Sequence, residues 1–194
     1  MKRLMGFVLV CLMALSLFSC TEKPLVFKNS DITGIDYAKD FALTDHNGQL
    51  RTLADFKGKA VVLFFGYTQC PDVCPTTLAE LAAVMKDLGP LADRVQVLFV
   101  TLDPERDTRE LLAQYAPAFD KRFLGLSGDA AATKKTAKDF KVFVEKRPGA
   151  TPEYYTVDHT AASFAFDPQG RVRLFLRHGQ GAEPIVHDLK LLLQ

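Results

Sequence analysis

Ala60-Val61-Val62-Leu63-Phe64-Phe65-Gly66-Tyr67-Thr68-Gln69-Cys70-Pro71-Asp72-Val73-Cys74-Pro75 runs from a continuous apolar segment into two cysteines, each followed by a proline. Eight residues without a charge, rich in Val and Phe, read as a strand buried on both faces. Beyond Pro75, Leu78, Leu81, Ala82, Met85 and Leu88 recur at spacings of three, four and seven, predicting a helix from near Thr76 to Gly89-Pro90. A strand therefore delivers Cys70 and Cys74 to the start of a helix. Residues at i and i+4 share a helix face with Cα atoms roughly 6 Å apart. That separation admits a disulfide, and it equally admits two sulfurs on one metal ion.

Working outward, Val95-Gln96-Val97-Leu98-Phe99-Val100-Thr101-Leu102 is a second apolar run. Strand, helix and strand in this order make a βαβ unit, parallel and right-handed. Ligands of such sheets bind at the carboxyl ends of the strands, where Cys70 and Asp103 both fall. Arg109 to Tyr115 predicts a short helix, Phe123 to Leu126 a short strand and Ala130 to Phe140 another helix. Lys141 to Glu145 alternates like an exposed edge strand, and Lys146 to Tyr155, with Pro148, Gly149 and Pro152, reads as a loop. Val157-Asp158-His159-Thr160 then enters a strand, Ala161 to Phe166. Asp167-Pro168-Gln169-Gly170 is a type I turn leading to an antiparallel strand that places Val172, Leu174 and Leu176 on one face. Pro184 opens a final amphipathic helix carrying Ile185, Val186, Leu189, Leu192 and Leu193. Upstream, Asp45-His46-Asn47-Gly48 joins two short strand-like runs and predicts a β-hairpin, with His46 a solvated turn residue. The whole is one α/β domain with a mixed sheet, without internal repeats.

The N-terminus reads as an address. Lys2 and Arg3 precede an apolar run from Leu4 to Phe18, and Leu17-Phe18-Ser19-Cys20 resembles a bacterial lipobox. Residues 1–19 are expected to be a cleaved signal, Cys20 the lipidated residue, 20–35 a tether and 36–194 the folded domain. The domain is then extracytoplasmic and held on a membrane surface, with inner or outer membrane unassigned. Over 194 residues, 24 Lys and Arg face 23 Asp and Glu. Losing Lys2 and Arg3 leaves 22 against 23, and a balance this close to neutral gives no nucleic-acid signature. Of the four cysteines, Cys11 lies in the leader and Cys20 is spent on lipid. Cys70 and Cys74 remain, too few for a disulfide framework.

A Cys-x-x-x-Cys pair at a strand-to-helix junction has three uses. It forms a static disulfide or two incidentally close thiols; it forms a redox dithiol whose thiolate is favoured by the helix N-terminus; or it supplies two soft donors to a metal that needs a third ligand. His178 and His187 read as surface residues.

Phe65 to Pro75, then Leu102-Asp103-Pro104-Glu105-Arg106-Asp107-Thr108, then Tyr155-Thr156-Val157-Asp158-His159-Thr160 resemble, in order and spacing, the Sco/SenC family, from about Phe41 to the C-terminus. The resemblance implies a thioredoxin-like fold, a central mixed sheet flanked by helices, here with an N-terminal hairpin extension. It implies copper held by Cys70, Cys74 and His159, with Asp103 as an outer or transfer residue. It further implies a metallochaperone more than an enzyme, with thiol–disulfide oxidoreductase activity left open, that serves assembly of the binuclear copper centre of cytochrome c oxidase. Its partners would be the copper-centre subunit, a copper donor and a thiol reductant. A thiol–disulfide reductase acting on the acceptor's cysteines, and a redox or copper sensor, are the alternatives for the same pair. An imidazole facing two thiols suits Cu(I) and serves Cu(II), whereas Zn²⁺ would want a fourth ligand. Because adjacent strand residues point to opposite faces, Asp158 is expected to point away from the cysteines, leaving Asp103 as the carboxylate to orient the ring.

Overall fold

The computed structural model describes residues 25–149, 151 and 154–194. The leader, Cys20 and the first part of the tether lie outside the described residues. In chain order the elements are β1 (Ser30–Asp31), β2 (Leu43–Asp45), β3 (Leu50–Arg51), β4 (Ala60–Gly66), α1 (Val73–Leu88), β5 (Val95–Thr101), α2 (Arg109–Phe119), β6 (Leu124–Ser127), α3 (Ala130–Asp139), β7 (Val144–Pro148), β8 (Tyr155–His159), β9 (Ala162–Phe166), β10 (Val172–Arg177) and α4 (Ala182–Leu192). Eight strands form one mixed sheet in the order β1-β10-β9-β4-β5-β6-β2-β3, and β7 and β8 form a separate two-stranded hairpin. The predicted βαβ unit is present: β4 and β5 pair in parallel from Ala60–Val95 to Gly66–Thr101.

Every residue of β4 and β5 is buried, which is why these two runs are apolar without alternation. Adjacent Phe64 and Phe65 serve opposite faces. Phe65 meets Phe140 and Phe164 at ring separations of 5.2 and 6.4 Å, while Phe64 meets Phe99 at 6.1 Å. Tyr115 of α2 packs on Phe99 at 5.3 Å. The two central strands thus anchor an aromatic cluster on each side of the sheet.

Helix ends follow their local chemistry. Thr108 caps α2 by accepting from the Leu111 N–H, and Asp129 caps α3 through Ala132. Gly89, at φ +56°, closes α1. α1 begins at Val73 rather than near Thr76, since a proline at Pro75 is compatible with a first turn whose N–H groups have no intrahelical partner. α2 runs past Tyr115 to Phe119; Pro117 sits in its last turn, where it costs one terminal hydrogen bond.

Three further readings are corrected. The exposed edge strand lies at Val144–Pro148, not Lys141–Glu145, so part of the expected loop is the hairpin β7–β8. Part of the expected tether belongs to the fold: β1 pairs with β10, and buried Asp188 of α4 accepts the N–H groups of Lys28 and Asn29 at 2.9 and 2.8 Å. His46 is half-buried rather than solvated. Its Nδ1 accepts from the Gly125 N–H at 3.0 Å, tying the β2–β3 hairpin to β6. The hairpin itself forms as predicted, with Gly48 at φ +85° and its N–H on the Asp45 carbonyl at 2.8 Å.

Candidate metal centre

The carboxyl end of β4 ends at Gly66, and Tyr67 to Asp72 turn the chain into α1. Cys74 lies in the first turn of that helix and is fully buried; Cys70 lies before it and is half-buried. A shared helix face therefore does not bring the two thiols together. A turn does: the Cys70 N–H reaches the Tyr67 carbonyl at 3.3 Å, and the Cys74 N–H donates to Cys70 Sγ at 3.3 Å. Both thiols are free. The Cys74 sulfur sits so tightly against the strand that a Cβ on Gly66 would come within 2.8 Å of it.

His159 is the last residue of β8, whose hairpin carries it across to the cysteine turn. Its Nε2 lies 3.6 Å from Cys74 Sγ, and its Nδ1 lies 3.0 Å from the Thr160 carbonyl oxygen. A carbonyl only accepts, so Nδ1 carries the proton and the Nε2 lone pair is turned toward the sulfurs. Burial lowers the His159 pKa below the usual imidazole value, which keeps the ring neutral. Phe64 and Tyr67 meet the ring edge-on at 6.3 and 6.2 Å. Burial, and after it the hydrogen bond with Cys70, push the Cys74 thiol well above the ordinary thiol range. The donor atoms of Cys70, Cys74 and His159 all lie within 4.8 Å of one another. Two sulfurs and one imidazole nitrogen fit a soft metal ion, and among the described residues no further His, Cys, Asp or Glu joins the cluster. Cys70 and His159 border a cleft of about 330 Å³ that Tyr67, Pro71 and Thr156 to Asp158 also line, with Cys74 buried behind it.

Asp103 is fully buried but does not reach His159. Its Oδ1 accepts from the Tyr155 hydroxyl at 2.7 Å, and its Oδ2 pairs with Arg106 Nε. Arg106 in turn donates to the Tyr155 carbonyl at 2.9 Å and stacks 3.5 Å over the Tyr155 ring. The contacts of Asp103 thus latch the base of β8 to the loop after β5, and the group orienting the imidazole is the Thr160 carbonyl. Asp158 points outward, as expected, to Arg147 at 2.8 Å. His178 is not a free surface residue: its Nδ1 pairs with Thr77 Oγ1 of α1 at 2.9 Å. His187 pairs with Asp188 at 2.7 Å. Sequence reasoning passed over Asp107, which is buried and bound by the Thr68 N–H at 3.0 Å and by Thr101 Oγ1 at 2.6 Å. It thereby ties the cysteine loop to the end of β5. Its place in the same block as Asp103 was the available signal.

The SCO1/SenC family model matches residues 30–194. The mitochondrial SCO2 homolog of Bos taurus is 38% identical over 153 residues, covering 78% of this chain and 58% of that protein, so the chain spans under two thirds of such relatives. The structure of copper-bound ScoI from Bradyrhizobium japonicum is 41% identical, with a TM-score of 0.73 over 79% of this chain and 98% of that one. The apo Sco1 protein of Thermus thermophilus is 42% identical, with a TM-score of 0.77 over 87% and 98%. The sheet with its flanking helices is accordingly thioredoxin-like, and a match that runs through all three motif blocks to the last residue makes this chain a member of the SCO1/SenC family.

Proposed function

We propose that this protein is a membrane-tethered copper carrier that binds copper through Cys70, Cys74 and His159 and passes it to the copper-centre subunit of cytochrome c oxidase. The observation that carries this reading is the convergence of two sulfurs and the free Nε2 within 4.8 Å, with the imidazole tautomer fixed from behind by Thr160. Three donors leave a coordination position for an incoming ligand of the acceptor. The unequal exposure of the sulfurs supports the same reading, because an acceptor entering the cleft reaches Cys70 and His159 before buried Cys74. Asp103 acts through Tyr155 and Arg106 on the strand that carries His159. The leader 1–19 and a lipidated Cys20 supply the extracytoplasmic tether. Among the described residues no helix is long and apolar enough to cross a membrane. A copper donor and a thiol reductant keep the pair loaded and reduced.

The test is Cu(I) affinity by competition with a coloured chelator, for the wild type, His159→Ala and Cys74→Ala. One copper per chain is expected, with affinity falling at least ~10-fold in His159→Ala, about 1.4 kcal/mol, and tight binding lost in Cys74→Ala. Stoichiometric, equally tight copper in Cys74→Ala would overturn the assignment. The free, adjacent thiols also suit a thiol–disulfide reductant. Reductase activity that survives His159→Ala, beside weak copper binding in the wild type, would make that the function instead.

A further inference from the structure

Beside the metal centre lies an apolar groove of about 710 Å³ whose charge is one-sided. Leu102, Pro104, Val142, Phe143 and Val144 form its apolar lining. Phe143 and Val144 are adjacent and 56% and 37% exposed, an uncovered apolar pair inside the groove. Four lysines line the groove, Lys134, Lys138, Lys141 and Lys146, against a single acid, Glu105. Lys146 is already engaged by Glu105 at 2.7 Å. Among the described residues, Lys134, Lys138 and Lys141 have no carboxylate within ion-pair distance, although the neighbouring Lys135 does. Lys134 and Lys138 are four residues apart and share one face of α3. In a chain with 24 basic and 23 acidic residues, this is a local excess rather than a reflection of net charge.

The groove adjoins the site through the β7–β8 hairpin. Its wall residue Val144 is the register partner of His159 across the β7–β8 hairpin, and Leu102 and Pro104 flank buried Asp103. We propose that this groove docks a polypeptide segment of a copper-exchange partner, apolar along one face and flanked by Asp or Glu. Apolar side chains of the segment would cover Phe143 and Val144 while its carboxylates meet Lys134, Lys138 and Lys141. The identity of the partner rests on the copper-carrier reading; the chemistry of the groove does not. A concave, apolar-lined cleft favours an inserted peptide over the flat headgroup layer of a membrane. Charge complementarity of this kind speeds encounter and makes it salt-sensitive.

The test uses the full chain in mild detergent and two fluorescein-labelled synthetic peptides, one alternating Glu with Leu and the other Lys with Leu, read by fluorescence anisotropy. The acidic peptide should bind at least ~10-fold more tightly than the basic one. That preference should be lost in Lys134→Glu/Lys138→Glu, and overall affinity should fall in Phe143→Ser. All three positions are exposed, so folding is expected to survive. Cys70→Ser should lose tight copper and keep the acidic peptide, which separates this proposal from the metal assignment. Equal binding of both peptides, or unchanged binding in the lysine variant, would overturn it. So would an absence of peptide binding coupled to lysine-dependent retention on phosphatidylglycerol over phosphatidylcholine vesicles, which would assign the patch to a membrane surface.

Discussion

Gly66→Ala tests whether packing, rather than the cysteines alone, sets the geometry of the metal centre. Gly66 is the last residue of β4, and an added Cβ would stand 2.8 Å from both Cys74 Sγ and Phe99 Cε2, and 3.2 Å from Phe64 Cε1. None of these atoms is the free end of a mobile side chain; all three residues are 0% exposed. Overpacking a rigid core costs ~1–3 kcal/mol, and two contacts this short place the substitution in the upper half of that range. Alanine returns ~0.4–1 kcal/mol by restricting the unfolded chain, leaving a net loss of roughly 1–2.5 kcal/mol. For a domain of this size that lowers Tm by roughly 2–10 °C. Because one of the displaced atoms is a donor, Cu(I) affinity should fall at least ~10-fold in the same variant. Gly125→Ala is the control: its Cβ would press Leu112 Cβ at 2.9 Å, with no part of the metal cluster among the contacts. It should lose comparable stability and keep its copper affinity. Chelator competition and calorimetry on the two variants decide the matter. Wild-type affinity in Gly66→Ala, or an equal affinity loss in Gly125→Ala, would refute the idea that the Gly66–Cys74 contact positions the donor.

Tyr155→Phe removes the hydroxyl that donates to buried Asp103 and should cost about 1–3 kcal/mol in urea denaturation, with faster amide exchange in β8; an unchanged urea midpoint would count against the latch. Phe140→Ala deletes the ring that joins Phe65, Phe164 and Phe166 and should lose roughly 3–5 kcal/mol, while a loss of only ~0.5 kcal/mol, the size of a surface change, would show that this face of the sheet repacks. At Asp188, burial raises the carboxyl pKa, but bonds from His187, the Lys28 N–H and Asn29 outweigh it, so the folded pKa lies below the unfolded one. A depressed carboxylate contributes stability that is complete above its unfolded pKa, about 3.9, and is lost as pH falls through the folded value. Asp188→Asn should therefore be less stable than wild type at neutral pH, with the gap closing on acidification below about pH 4; a gap that stays constant in thermal melts across that range would refute the assignment.

The βαβ unit was legible because β4 and β5 are buried on both faces and so carry no alternation that could be mistaken for a helix or a surface strand. The hairpin at Asn47-Gly48 was legible because its turn needs a positive φ that glycine supplies without strain. β7 was misplaced by three residues because all five of its residues are exposed, so no buried face fixes its register. β1 escaped because its hold on the fold is distant in sequence: it pairs with β10, and the residues just before it, Lys28 and Asn29, donate to the carboxylate of Asp188, some 160 residues away, to which no local pattern points. At the site, Cys70, Cys74 and His159 were legible from side-chain type, spacing and family resemblance. The group that orients His159 was not, because it is the Thr160 carbonyl and every residue has one. Asp103 was assigned an influence on the ring without the means to see that Tyr155 and Arg106 stand between them.

The two sulfurs are held in different ways, and the difference bears on how cargo could leave. Cys74 is held closely: its sulfur packs against the strand at Gly66, where a Cβ would come within 2.8 Å, the helix fixes its backbone, and solvent does not reach it. Cys70 is held by the turn that precedes the helix and by one N–H on its sulfur, and it borders the cleft. His159 sits on a hairpin whose partner strand is exposed along its whole length, joined to the main sheet side of the site through Tyr155, Arg106 and Asp103. Under the proposed carrier function, a site with one buried donor and two donors on separately tethered segments would give up its metal one donor at a time without opening the core. The order of release would then follow burial, with Cys74 the last to let go. An acceptor seated in the lysine-lined groove would lean on β7, the strand paired to His159, so docking and the loosening of the imidazole would act on the same hairpin.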